Sequence, residues 1–145
     1  MNALKMLTIY LALFINVSVV AQQKYPTLYL PSPSNPPTTA FIAWHQSLLK
    51  GDYAGYKNVS FWLPDTKDDL KIQTFNILRG TTPTLVKITE QKTNPNGSVT
   101  FTAVGCKDNV RLLNMITVGN TNGIWRVAAS GWGQPWNETA KLCPV

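Results

Sequence analysis

Three turn signals, at residues 94–97, 107–109 and 120–123, constrain the fold of this chain more than any other feature. Each is rich in the Asn, Asp, Gly and Pro residues that close tight turns. The segments between them are apolar or alternate between apolar and polar side chains, which predicts antiparallel strands joined by hairpins. We expect four strands, at residues 85–92, 98–105, 110–119 and 124–132.

Helical periodicity comes before the strands. In residues 36–50 one arc of a helical wheel holds the apolar side chains of Phe41, Ile42, Trp44, Leu48 and Leu49, and the opposite arc holds Gln46, Ser47 and Lys50. The proline pair at the start suits a first helical turn, and Gly51 suits the position just past the end. These signals predict a first, amphipathic helix that buries one face.

Two more helices are expected before the sheet. Asp52 is well placed to cap a short helix at 53–58, and a third helix is expected at 66–79. The apolar face predicted for the third helix consists of Leu70, Thr74, Ile77 and Leu78. Helices followed by consecutive hairpins predict an α+β fold, with N-terminal helices packed on a curved antiparallel sheet of about four strands.

The N-terminus carries the pattern of a cleavable secretory signal. One positive charge, at Lys5, precedes an apolar run at residues 7–20, and the small side chain of Ala21 suits the last position before the cut. The run is shorter than the ~20 residues of a spanning helix, which disfavours the alternative of an uncleaved anchor. We therefore expect a periplasmic or secreted protein that begins at Gln22 and has no stable membrane insertion after cleavage.

The remaining chain is expected to form one domain. Five prolines fall within residues 25–37, so residues 22–37 are interpreted as a proline-rich linker, with a proline-motif ligand for a partner as the alternative. Residues 38–145 have the length of a single domain.

Cys106 and Cys143 are the only two cysteines. In an exported chain such a pair predicts a disulfide more readily than a metal site or a nucleophile. The bridge would close a loop of 37 residues and stabilise the fold by about 3.8 kcal/mol in the loop-entropy account. We predict no metal and no cofactor, because two thiols and one histidine make a poor zinc set.

The charge is positive but scattered. Removing Lys5 with the signal leaves 12 Lys and Arg against 7 Asp and Glu, a net charge of +5. Nucleic-acid binders cluster their basic residues on one face, so no nucleic-acid partner is predicted. A weak attraction to anionic envelope polymers or to an acidic partner is the remaining implication.

Three motifs, in this order, resemble the nuclear transport factor 2-like superfamily of cone-shaped, cystatin-like α+β domains. They are the end of the first helix at residues 48–53, the Thr82-Pro83 exit into a strand, and the final hairpin at 122–127, with its Gly-x-Trp-x-aliphatic pattern. The resemblance implies a sheet wrapped on the helices, often with a pocket in the cone. The superfamily includes enzymes, binding modules and interaction domains, so the resemblance implies no particular activity. A homodimer through the open sheet face stays open.

His45 is the only histidine, and the wheel places it in the middle of the apolar arc of the first helix. We expect a buried ring whose pKa lies below the ordinary ~6.5, since burial disfavours the imidazolium. The favoured interpretation is a core histidine bonded to a backbone carbonyl or a tyrosine. The alternative is a pocket residue that binds a ligand with Trp44 and Tyr53, or that acts as the general base of a small hydrolase or isomerase.

Trp132 and Trp136 flank a Gly and a Pro near the end of the chain. If exposed, they would be anchors for a protein partner. The sequence thus favours an exported, non-enzymatic domain that binds a protein or a small ligand, such as an immunity protein or an envelope accessory protein.

Overall fold

The computed structural model describes residues 35–128 and 130–134. Three helices precede four strands, which form one antiparallel sheet in the order β1-β2-β3-β4, so the predicted α+β fold is confirmed. The elements are α1 (Pro36–Lys50), α2 (Tyr53–Val59), α3 (Asp68–Thr81), β1 (Leu85–Thr93), β2 (Val99–Lys107), β3 (Val110–Thr121) and β4 (Ile124–Val127).

The sheet has one buried face and one more exposed face, because side chains alternate along each strand. Val104 is buried although it projects to the more exposed face. We call the buried side the inner face; its core members are Val86, Ile88, Val99, Phe101, Ala103, Ile116, Val118 and Val127. We call the opposite side the outer face; its members include Lys87, Glu90, Lys92, Thr100, Thr102, Arg111, Met115, Thr117 and Arg126. A bulge between Ile88 and Glu90 keeps both faces in phase along β1.

Aromatic side chains of α1 join the helices to the inner face. Phe41 lies 5.8 Å from Phe101 of β2, and Trp44 lies 6.3 Å from Tyr56 of α2, measured between ring centroids. All four are fully buried, and burial of one such side chain stabilises the fold by about 1.5–3 kcal/mol. Phe41, Trp44 and Leu48 of the predicted arc thus form the centre of the core, whereas Ile42 and Leu49 are only partly buried. Ser47, predicted on the opposite side, is buried and donates a hydrogen bond to the Ala43 oxygen.

The tight turns also form where the sequence indicated them. Asp108 and Asn109 both have positive φ between β2 and β3, and Asn122 and Gly123 do so between β3 and β4. The Asp52 side chain accepts a hydrogen bond from the Gly55 N–H at 2.9 Å and caps α2. These local signals depend on a few neighbouring residues, which is why they could be recognised without the fold.

The buried face predicted for the third helix is correct at Leu78 but wrong at Leu70 and Ile77. Phe75, absent from that prediction, and Leu78 are buried, whereas Leu70 and Ile77 are exposed. The Phe75 ring lies 5.0 Å from the ring of Tyr56 of α2 and fixes the rotation of α3. Leu70 lies about 140° away from Phe75 around the helix axis, so packing the larger aromatic side chain turns Leu70 towards solvent. The helix also begins at Asp68 instead of residue 66.

The largest boundary differences are at the end of the predicted linker and at the end of the last strand. Helix α1 begins at Pro36, as the helical signals predicted, so Pro36 and Pro37 belong to the helix and not to the linker. Strand β4 ends at Val127 and not at 132. Val127 pairs with Val118, and Gly133 pairs with Leu113. The chain thus advances six positions from Val127 to Gly133, while β3 covers only five between Val118 and Leu113. This one-residue shift interrupts the strand.

Two rings lie close against the backbone of Gly105 of β2. A Cβ atom added there would lie 2.3 Å from the Pro83 ring and 2.9 Å from the Trp132 ring. Both distances are shorter than carbon atoms can approach without displacement. Gly105 has no side chain, so two other parts of the chain pack directly against the β2 backbone there. They are the junction between α3 and β1, at Pro83, and the segment after β4, at Trp132.

We expect Gly105→Ala to lower the free energy of unfolding by about 1–3 kcal/mol, because the new methyl group must displace the Pro83 or Trp132 ring. Gly119→Ala is the matched control, since a Cβ on this other strand glycine meets nothing within 4 Å. Denaturant unfolding of the two variants measures the difference. Equal stability of the two would show that the contact at Gly105 relaxes without cost.

Candidate functional site

His45 is the one residue of the sequence analysis with acid-base chemistry at neutral pH, and it lies in the core. Its side chain is 0% exposed. Its Nε2 atom lies 3.0 Å from the backbone oxygen of Pro83, just before β1. A carbonyl oxygen only accepts hydrogen bonds, so Nε2 carries the hydrogen and donates it. The bond ties α1 to the junction between α3 and β1.

Two aromatic rings flank the imidazole. The Phe41 ring is stacked at 6.0 Å between centroids, and the Trp132 ring is tilted at 6.5 Å. Burial lowers the pKa of His45 to about 4, although the hydrogen bond to Pro83 raises it in part. At neutral pH the ring is therefore uncharged, and its Nδ1 atom is enclosed without a hydrogen-bond partner among the described residues.

This arrangement suits a structural role for His45. A general base must come within hydrogen-bond distance of a substrate proton, and a side chain with no exposed surface requires a rearrangement of the core to do so. The predicted burial and lowered pKa are confirmed, as is the interpretation of a core histidine bonded to a backbone carbonyl.

Trp44 and Tyr53, the other two candidate ligand-binding residues, belong to an aromatic cluster shared by the helices. Trp44 is fully buried beside Phe41 and Tyr56. The Tyr53 ring is partly buried and meets the Phe75 ring edge-on at 5.4 Å. Both side chains are part of the helix packing. Neither of the two surface grooves described below is lined by Trp44, Tyr53 or His45.

The condition for Trp132 as an exposed anchor is not met. Its side chain is 7% exposed and packs between His45 and Gly105. The register shift after β4 turns the ring under the sheet, where it fills space that Gly105 leaves open. Trp136, the second proposed anchor, and Cys143 lie outside the described residues, as does the signal segment.

Neither a metal-binding cluster nor a membrane-spanning helix is found in the described part of the chain. Residues 35–128 and 130–134 contain no cluster of three or more His, Cys, Asp or Glu side chains able to hold a metal ion. No helix within these residues is long and apolar enough to cross a membrane.

The outer face of the sheet is the most prominent surface that the sequence analysis missed. Met115 stands near its middle with 70% of its side chain exposed, between Thr102 of the neighbouring strand and Thr117. Ile116, the next residue, is fully buried, so alternation along β3 was the signal for an outward Met115. The charged side chains around it are Lys87, Lys92, Arg111, Arg126 and Glu90.

Two open grooves complete the surface. One runs along α3, has a volume of about 960 Å³, and is lined in part by Leu70, Ile72 and Ile77. The other, about 380 Å³, lies between the end of α2 and the β3–β4 hairpin. Both depend on which helix face is buried and where the connector between α2 and α3 runs, so sequence periodicity did not reveal them.

No protein-family model matches this sequence, and no curated protein or solved structure matches it significantly. The resemblance to the nuclear transport factor 2-like superfamily therefore stays a prediction.

We expect acid to destabilise the protein through His45. The unfolded chain takes up a proton near pH 6.5, whereas the folded chain resists it until about pH 4, so stability falls as pH is lowered through this window. The loss reaches about 3 kcal/mol, because each unit of pKa difference corresponds to 1.36 kcal/mol. Unfolding free energies measured between pH 7 and pH 4 test this.

The matched control is His45→Gln, which keeps an N–H donor for the Pro83 oxygen but does not titrate. Carboxylates titrate equally in both proteins, so the difference between the two pH profiles isolates the histidine. Superimposable profiles would contradict a depressed pKa at His45.

Proposed function

We propose that this protein is an exported, non-enzymatic domain that binds an acidic protein through the outer face of its sheet. An immunity protein or a cell-envelope accessory protein fits this description. The observation that carries the proposal is the exposed Met115 within a cationic sheet face.

The environment of His45 favours binding over catalysis. The ring is enclosed, neutral and engaged in a structural hydrogen bond. An enzyme whose active site is a pocket places a general base within reach of a second polar group and of the substrate. The rival hypothesis of a small hydrolase or isomerase that uses His45 lacks that arrangement.

The outer face has the composition of a protein-binding surface. Methionine is over-represented at such surfaces because its flexible thioether adapts to different partner shapes. The threonines beside Met115 form a polar surround, and Thr100 and Thr117 lie 3.2 Å apart across two strands, oxygen to oxygen. An exposed apolar side chain within a polar surround is the usual anatomy of an interface.

Charge on this face selects the class of partner. Four basic residues project from the strands to the outer face, and Glu90 is the one acidic residue that does so. The Glu90 carboxylate accepts a hydrogen bond from Thr102 at 3.4 Å. A surface of this sign attracts an acidic partner and accelerates the encounter, with an effect that weakens as salt is added.

Export and the disulfide belong to the same proposal. Cys106 lies on the outer face of β2, two residues beyond Val104, the partner of Leu113. Gly133 pairs with Leu113 on the other side of β3. Strands lie about 4.8 Å apart, and the ten residues from Gly133 to Cys143 can span up to about 33 Å. The chain is therefore long enough for Cys143 to reach Cys106.

The intact mass of protein recovered from the periplasm or the medium tests both points. We expect a chain that begins at Gln22 and is lighter by two hydrogen atoms than its reduced form. Reduction should lower stability by about 2–4 kcal/mol, because the unfolded chain regains its loop freedom. An intact Met1 form in the membrane fraction would contradict export, and two free thiols in native protein would contradict the bridge.

Site-specific crosslinking tests the binding surface. A photo-crosslinking amino acid at Met115, in the protein exported by its own cell, should yield a covalent adduct with an acidic protein. The same amino acid at Ile77 is the matched control, because Ile77 is similarly exposed, at 62%, but lies on α3. Mass spectrometry identifies the adduct.

Charge reversal separates specific docking from chance contact. Lys87→Glu with Lys92→Glu should lower the yield at Met115 several-fold, because both side chains project from β1 to the outer face. Equal yields from Met115 and Ile77, or adducts only between two copies of this chain, would contradict the proposal. In the second case the outer face is a dimer interface.

A further inference from the structure

The groove beside the β3–β4 hairpin is a second surface with its own chemistry. Lys57 and Asn58 approach it from α2, Phe61 and Trp62 from the connector, and Thr121 and Arg126 from the hairpin. Its volume of about 380 Å³ is at the small end of the range for ligand sites. The groove would therefore admit only a compact molecule.

The connector that forms one wall is fixed in place. The Phe61 N–H donates a 2.8 Å hydrogen bond to the Val127 oxygen, which joins the connector to β4. The Trp62 ring meets the fully buried Tyr56 ring edge-on at 5.9 Å. Because both contacts exist without a ligand, binding would cost little ordering of this wall.

The groove is positively charged. Lys57 and Arg126 line it, and no acidic side chain does. The nearby Asp68 carboxylate is hydrogen-bonded to Lys71 at 3.0 Å, and this contact is the main cause of its lowered pKa. The charge of Lys57 lowers the pKa of Asp68 further. Neither Lys57 nor Arg126 forms an ion pair with another described residue. The Lys57 Nζ atom lies over the Tyr53 ring, 5.8 Å from its centroid, so an anion could approach Lys57 and Arg126 without displacing a protein carboxylate.

Two aromatic residues, Phe61 and Trp62, form the apolar part of the groove. The Phe61 side chain is 48% exposed and offers a flat apolar surface. The Trp62 indole N–H is enclosed and has no acceptor among the described residues. Trp62 also lines the groove, so its indole signal reports on binding there, although the enclosed N–H itself is not accessible to a ligand.

We propose that this groove binds compact aromatic carboxylates. The carboxylate lies between Lys57 and Arg126, and the ring packs on Phe61. Arginine is suited to this role because its planar guanidinium binds a carboxylate through two parallel hydrogen bonds. The site shares Arg126 with the outer face but lies at its β4 edge, away from Met115, and does not depend on the protein-binding proposal.

Benzoate is the probe, and the indole N–H signals of the exported chain in ¹⁵N NMR spectra are the measurement. We expect a saturable shift of the Trp62 signal with benzoate and none with benzamide, which has the same shape without the charge. Inorganic phosphate should bind more weakly, because it has no ring to place on Phe61.

Arg126→Gln should weaken benzoate binding about tenfold or more, since hydrogen bonds between charged groups contribute about 1.5–3 kcal/mol. Arg111→Gln is the matched control: it removes the same charge from the outer face, and Arg111 does not line the groove. Lys57→Gln, at an exposed helix position, provides a second variant if Arg126→Gln impairs folding.

Three results would overturn the proposal: no saturable shift with benzoate, equal binding of benzamide, or equal effects of Arg126→Gln and Arg111→Gln. Phosphate binding as tight as benzoate binding would overturn the aromatic part and leave a general anion site. None of these results bears on crosslinking at Met115, so the two proposals fail independently.

Discussion

The close contact at Gly105 is the constraint on which the rest of the structure depends. Pro83 and Trp132 both approach the β2 backbone at a point where no side chain could stand. His45 completes the contact, because it donates to the Pro83 oxygen and packs against the Trp132 ring. One helix, the entry to the sheet and the chain beyond β4 thus meet at one strand position. Close packing at Gly105 and the buried hydrogen bond from His45 to Pro83 hold these parts together.

Using the only histidine in this contact has a chemical consequence. The imidazole is neutral and enclosed, so the side chain best suited to proton transfer near pH 7 serves the packing of the core. Our two proposals therefore rest on the surface: on a sheet face with Met115 among cations, and on a groove with Lys57 and Arg126. In both proposals the ligand is negatively charged, which agrees with the basic balance of the sequence.

Local signals in the sequence were reliable where few residues decide the outcome. The tight turns at Asp108-Asn109 and Asn122-Gly123 need residues that tolerate positive φ, and the sequence supplies them. The arc of α1 could be predicted because Phe41, Trp44 and Leu48 leave one choice of buried face. For α3 two faces competed, and contact between Phe75 and two tyrosines of α2 selected the one that periodicity had not indicated. That contact joins residues about twenty positions apart.

The sequence by itself determined the order of helices and strands, the turns that set the strand pairing, and the burial of His45. Each follows from periodicity or from the conformational preferences of neighbouring residues. Only the tertiary structure decided that His45 binds the Pro83 carbonyl, that Trp132 lies inside, and that a groove forms beside Arg126. These outcomes depend on which distant residues meet across the sheet. Such distances are set by packing in three dimensions, and no local pattern in the sequence encodes them.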